Sequence, residues 1–136
     1  KEFDENLSNS DSEINLNDTN DIPDGVVIYE INGPFFFGAA SKFKETLRTI
    51  ENSSKVLILR LRNVPAIDAT GIATIEDFFN DCKKNNSVLV LSGIHAQPLF
   101  AAEKAGLIQK IGDVNVRGSI EDSLIRAKEI LNLQNR

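Results

Sequence analysis

The sequence holds one cysteine, one histidine, no methionine and no tryptophan. With Cys82 alone, an internal disulfide is excluded, and its place in the apolar stripe of a helical pattern marks it as a buried structural thiol. His95 has no companion ligand at metal-binding spacing, so it is assigned a surface or hydrogen-bonding role and no metal site is expected. No apolar run approaches the ~18 to 20 residues that a membrane span requires, and the amino terminus lacks the charged-then-apolar pattern of a secretory leader. Basic residues are outnumbered, 15 Lys and Arg against 20 Asp and Glu, and they form no cluster, which argues against a nucleic-acid partner. The chain carries no G-x-S-x-G elbow, no Walker lysine motif and no G-x-G-x-x-G turn after its first strand, so an enzyme is not expected.

What is present is the composition of a soluble globular domain, with 41% hydrophobic and 26% charged residues. A length of 136 residues suits one domain and leaves no room for a second core. Residues 1–24 are mainly Asn, Asp, Ser and Glu with scattered apolar positions, too few to offset the entropy of ordering. They are read as a flexible acidic lead-in or tether, and residues 25–136 as the domain, opened by the turn signal Pro23-Asp24-Gly25.

Val26 to Ile31 reads as a strand, broken by Asn32-Gly33-Pro34 before a second short strand, Phe35-Phe36-Phe37. In a pleated strand Phe35 and Phe37 share one face and Phe36 takes the other. Both faces covered is the preferred reading; an exposed interaction patch of Phe35, Phe36 and Phe37 is the alternative. Ala39, Phe43, Leu47 and Ile50 then form a helical stripe ending near Asn52-Ser53-Ser54. Val56 to Leu61 and Ser87 to Ser92 read as buried strands, with a helix between them on Ile72, Ile75, Phe79 and Cys82. Gly93 to Gln97 is a loop, Pro98 suits the first turn of the next helix, and Gly106 suits its stop. A weak strand is expected at Val114 to Val116. Ser119-Ile120-Glu121-Asp122 resembles a capping box opening a last helix on Ile120, Leu124, Ala127 and Leu131. Strands alternating with helices make the class α/β.

Between the strand Val56 to Leu61 and the helix after it lies Asn63-Val64-Pro65-Ala66-Ile67-Asp68-Ala69-Thr70-Gly71-Ile72, the candidate working site. Asp68 or Thr70 is expected to cap the helix, and Gly71 permits close backbone approach. The bland alternative is a capped helix and nothing more. The setting favours function: a hydroxyl and a carboxylate at the carboxyl end of a buried strand, beside a positive helix terminus, occupy the edge where open α/β sheets meet ligands and partners.

Asp68-Ala69-Thr70-Gly71 resembles the D-[ST]-[ST]-G signature of STAS domains, which occur in anti-sigma-factor antagonists and SulP-type anion transporters. In the antagonists the hydroxyl residue before the glycine is phosphorylated, and that position is Thr70 here; the other hydroxyl position is Ala69. Gly33-Pro34-Phe35-Phe36-Phe37-Gly38-Ala39-Ala40 is similar to the G-P-L-F-F-A-x-A pattern that opens the transporter group, and Ser92-Gly93-Ile94-His95 through Ala105-Gly106-Leu107 is similar to its strand, loop and helix ending in A-G-L.

The resemblance implies a single STAS-like domain, with a mixed, mostly parallel sheet of four to five strands and about four helices packed on one face. It further implies a non-catalytic regulatory or interaction domain at the cytoplasmic face of the cell's inner membrane, belonging to a sulfate, bicarbonate or carboxylate transporter. The transporter's own membrane domain, a homodimer partner, a protein kinase and acyl carrier protein are the partners it brings. No cofactor is expected, weak nucleotide binding coming from the resemblance alone. The competing reading is a free-standing antagonist switched by phosphate on Thr70.

Overall fold

The structure is a computed structural model and describes residues 22–47 and 54–134. The lead-in before residue 22 and the far end of the first expected helix, including Ile50, lie outside the described residues. Four strands form one sheet in the order β1 (Val26–Asn32), β2 (Val56–Asn63), β3 (Val88–Ser92) and β4 (Val116–Arg117). Every pairing is parallel, with Val26 opposite Val56, Val56 opposite Val88, and Leu91 opposite Val116.

The helices are α1 (Phe37–Leu47), α2 (Ala69–Lys84), α3 (Ala96–Lys104), α4 (Leu107–Ile111) and α5 (Ile120–Gln134). Strands added in one direction by connections of one hand place all crossover helices on one face of a sheet. Accordingly α1 to α4 pack on the face carrying Leu57, Leu59, Leu61, Leu89 and Leu91. Only α5, which follows the last strand, returns over the opposite face, where Ile120, Leu124, Ala127 and Ile130 meet Val56, Ile58 and Val90. The alternation explains why β2 is apolar without a break: both faces of its residues Val56–Leu61 are covered.

Phe35-Phe36-Phe37 is not a strand. Gly33 adopts φ +89°, Phe35 makes a single parallel bridge to Ile67, and α1 starts at Phe37 with the Ala40 N–H donating to the Phe36 carbonyl at 2.8 Å. A helical turn swings consecutive side chains by about 100° rather than 180°. Phe35 is therefore fully buried, while Phe36 and Phe37 are 45% and 67% exposed and do not share its face. The same phase buries Ala40 and Phe43 and leaves Ala39 outside. Phe43 centres an aromatic cluster, 5.4 Å from Tyr29, 5.5 Å from Phe35 and 5.8 Å from Phe78, ring centroid to ring centroid.

The chain after β3 differs in two further places. Gly106, at φ +80°, ends α3 as expected, but Leu107, Ile108 and Ile111 then form the short buried helix α4, which the sequence reading left unassigned. The strand expected at Val114 to Val116 is only Val116–Arg117, because Asp113–Asn115 winds into a 3-10 turn that leaves Val114 half exposed. At α5 the Ser119 hydroxyl caps the Asp122 N–H at 3.1 Å. The Asp122 carboxylate turns instead to the Arg117 guanidinium at 2.8 Å.

Cys82 is buried on the sheet side of α2, as its place in the stripe suggested. Burial, reinforced by the Asp81 carboxylate and opposed by the neighbouring Ser87 hydroxyl, pushes its thiol from 9.0 up to about 11. The folded protein thus keeps a proton that the unfolded chain releases first. The Cys82 contribution to stability is complete below pH 9.0 and is lost as pH rises towards 11. Urea midpoints measured across that window are expected to fall more in the parent than in Cys82→Ala, and the thiol of the folded chain is expected to resist alkylation at neutral pH; equal slopes for the two proteins contradict this.

Candidate functional site

The loop between β2 and α2 is shaped by a short series of backbone contacts. The Val64 N–H returns to the Leu61 carbonyl at 3.0 Å, turning the chain out of β2, and the Phe35 N–H donates to the Ala66 carbonyl at 2.9 Å. Ile67 bridges Phe35, and Asp68 stands at the amino cap of α2 with extended backbone angles. The Asp68 carboxylate accepts the Gly71 N–H at 2.8 Å, while its carbonyl takes the first helical bond from the Ile72 N–H at 3.0 Å. Of the two capping candidates, Asp68 caps and Thr70 does not.

Thr70 is the second residue of α2, two positions past the cap at Asp68. It is exposed, as is Ala69, and its carbonyl accepts the Thr74 hydroxyl at 2.9 Å inside the helix. Thr70 thus stands exposed in the first turn, at the positive end of a helix of 16 residues that Asp68 caps.

Gly71 is buried, and the reason it must be glycine is steric. A Cβ built there would lie 2.3 Å from the Phe35 carbonyl oxygen, 2.6 Å from Ile67 Cγ1 and 2.9 Å from Phe35 Cδ2. The amino end of α2 therefore rests directly on the Gly33 to Phe35 segment. Phe36 and Phe37 follow that segment at once and are exposed at the start of α1. Phe35, placed in the same patch by sequence reasoning, is fully buried and belongs to the core beneath it.

Two groups that sequence reasoning did not single out hold the loop from below and from the side. At the end of β1 the buried Glu30 carboxylate accepts Asn63 Nδ2 at 2.7 Å and pairs with Arg62 Nε at 3.2 Å. Asn63 Nδ2 also reaches Asn32 Oδ1 at 2.8 Å, where the β1 to β2 register shifts. Charged residues on one side of otherwise apolar strands, at Glu30, Arg60 and Arg62, were the available signal. On the other side Gln97 Oε1 accepts the Ile67 N–H at 2.9 Å. His95 Nε2 lies 2.5 Å from the Arg62 carbonyl oxygen, the hydrogen-bonding role expected of it.

These contacts rank the loop residues. Asp68→Ala is expected to cost about 1 kcal/mol, the usual value of a lost cap, whereas Thr70→Ala is expected to be nearly neutral. Gly71→Ala should cost about 3 kcal/mol, since neither the Phe35 backbone nor buried Ile67 has room to retreat. Urea unfolding of the three variants checks the order, and a Thr70→Ala loss as large as that of Asp68→Ala contradicts it.

Comparison with known proteins adds what geometry alone does not. Residues 19–123 match the STAS domain family. A putative sulfate transporter of Bacillus subtilis, YvdB, is 33% identical over 88 residues, covering 64% of this chain and 17% of that protein. The chain thus spans about a sixth of this curated relative. The crystal structure of a sulfate transporter family protein from Wolinella succinogenes superposes with a TM-score of 0.76 at 43% identity, covering 82% of this chain and 91% of that one. The SulP transporter STAS domain of Vibrio cholerae gives a TM-score of 0.71 at 33% identity, covering 83% and 88%. A putative anti-sigma factor antagonist from Thermotoga maritima shares the fold, with a TM-score of 0.69 at 17% identity over 79% and 91% of the two chains. The chain belongs to the STAS domain family, and within it resembles the STAS domains of SulP-type transporters.

Proposed function

We propose that this chain is the non-catalytic cytoplasmic regulatory domain of a SulP-type anion transporter, and that its Asp68 to Gly71 loop is a partner-contacting surface under phosphate control at Thr70. The observation that carries the reading is the placement of Thr70. The motif's hydroxyl stands exposed on a rigidly held helix start, while the cap that stabilises the helix is supplied by another residue, Asp68. Modification at Thr70 is thereby uncoupled from the integrity of α2. The 43% identity to a sulfate transporter family protein supports the transporter side of the reading. Among the described residues no helix is long and apolar enough to cross a membrane, so the transport path would lie in the remainder of a longer protein.

On this reading the partner is the transporter's own membrane domain or a second copy of the STAS domain, with the exposed Phe36 and Phe37 as apolar contacts beside the loop. A phosphate would add about 1.5 to 2 negative charges next to Asp68. The helix dipole favours that charge and the carboxylate opposes it, so a partner accepting the neutral hydroxyl loses affinity unless it brings arginine or lysine. The free-standing antagonist has the shared fold and the exposed Thr70 in its favour; the Gly33 to Ala40 motif favours the transporter.

The test is reconstitution of a full-length transporter carrying this domain, with wild type, Thr70→Ala and Thr70→Asp compared for uptake rate and for competition by several anions. The expected result is a changed rate for Thr70→Asp at constant anion preference, with Thr70→Ala close to wild type in the absence of a kinase. A change in anion preference at constant rate refutes the regulatory assignment and gives the loop a direct role in substrate selection.

A further inference from the structure

We propose that Gln97 is the positioning residue of the Thr70 loop, its side-chain amide standing in for a strand beside Ile67. The inference rests on the reading of that loop as a contact surface. Ile67 lies beyond the paired part of β2, which ends against β3 at Arg60 and Ser92. On one side its neighbour is Phe35, through the isolated bridge. On the other side β3 has ended at Ser92, and the chain has turned through Gly93 to His95 into α3. The Ile67 peptide groups would face that side without a backbone neighbour.

Gln97 supplies what a strand would have supplied. Its Oε1 accepts the Ile67 N–H at 2.9 Å, and its Nε2 reaches the Ile67 carbonyl at 3.4 Å. One primary amide carries both an acceptor and a donor, so one side chain serves both groups of one residue. Asp68 follows Ile67 and caps α2, which puts Thr70 three residues from the held peptide. Gln97 is itself fixed in the first turn of α3, whose start is tied to β2 by His95 and the Arg62 carbonyl.

The consequence is a mechanical link between two exposed segments. A partner that moves the turn before α3 pulls on Ile67 through Gln97, and a partner that grips Thr70 pulls on the same residue through Asp68. Regulation of the Thr70 surface therefore extends to contacts made at the turn between β3 and α3. Glutamine fits the task where its relatives do not: Glu keeps the acceptor and loses the donor, and Met keeps the length and loses both.

Amide hydrogen exchange followed by NMR on the whole chain tests this with wild type, Gln97→Met and Gln97→Glu. In Gln97→Met, exchange at Ile67 and Gly71 is expected to accelerate about tenfold, while Leu59 and Val90 in the central strands stay within about twofold of wild type. Gln97→Glu should bring Ile67 back to within about threefold of wild type, since it retains the acceptor. Unchanged exchange at Ile67 in Gln97→Met overturns the proposal, and so does an acceleration shared equally by Leu59 and Val90, which would be a general loss of stability. Uptake by the full-length transporter separates this from the functional reading. An altered rate in Gln97→Met, restored in Gln97→Glu, supports the link; a local exchange change with uptake unaffected overturns the regulatory role of the loop and leaves Gln97 as its positioning residue.

Discussion

The backbone of α2 approaches the Phe35 carbonyl so closely that no side chain fits between them, and the whole carboxyl edge of the sheet is arranged around that contact. Gly71 makes the approach sterically allowed, and the burial of Phe35 makes it favourable, an aromatic ring of this kind contributing about 3 kcal/mol when removed from water. The bridge between Phe35 and Ile67, the bond from the Phe35 N–H to the Ala66 carbonyl and the cap from Asp68 to Gly71 are all consistent with one helix position. A loop that might have been the softest part of the chain is instead held on several sides.

On the reading proposed above, a partner would meet a loop whose ordering free energy is already supplied by folding. The polar network beneath it serves the same end: Glu30 is buried and so must be paired, and Asn63 and Arg62 provide the partners just where β2 passes into the loop. Lateral support from Gln97 and His95 ties in the third connection at this edge. Three connections separated in sequence thereby meet at one edge, where Thr70 is exposed, and Phe36 and Phe37 are exposed at the start of α1.

The opposite end of the sheet is of a different character. A cleft of about 760 Å³ lies there, lined by Ser54, Lys55, Lys83, Asn86 and neighbouring residues, at the carboxyl end of α2. The negative pole of that helix, about half a charge, only partly offsets the two lysines. The Asp-Ala-Thr-Gly motif stands at the other end, at the start of α2.

Much of this was determined by the sequence alone. The α/β class follows from short β-branched runs alternating with helical stripes, and β2 and β3 were legible because strands covered on both faces read as unbroken apolar runs. Cys82, Gly106 and Ser119 took their expected places because a helical stripe, a left-handed stop and a cap are local features, decided within a few residues. The motif at Asp68 to Gly71 was legible for the same reason. What only the tertiary structure decided depends on partners far away in the chain. Whether Asp68 or Thr70 caps α2 turns on where the Phe35 bridge lets the helix begin. Whether three phenylalanines form a strand or lead into a helix is settled where Phe35 packs against Gly71, and Gln97, read from the sequence as the end of a loop, lies in the first turn of α3 and meets Ile67 across 30 residues. Those contacts are set by packing between segments, and no local periodicity encodes them.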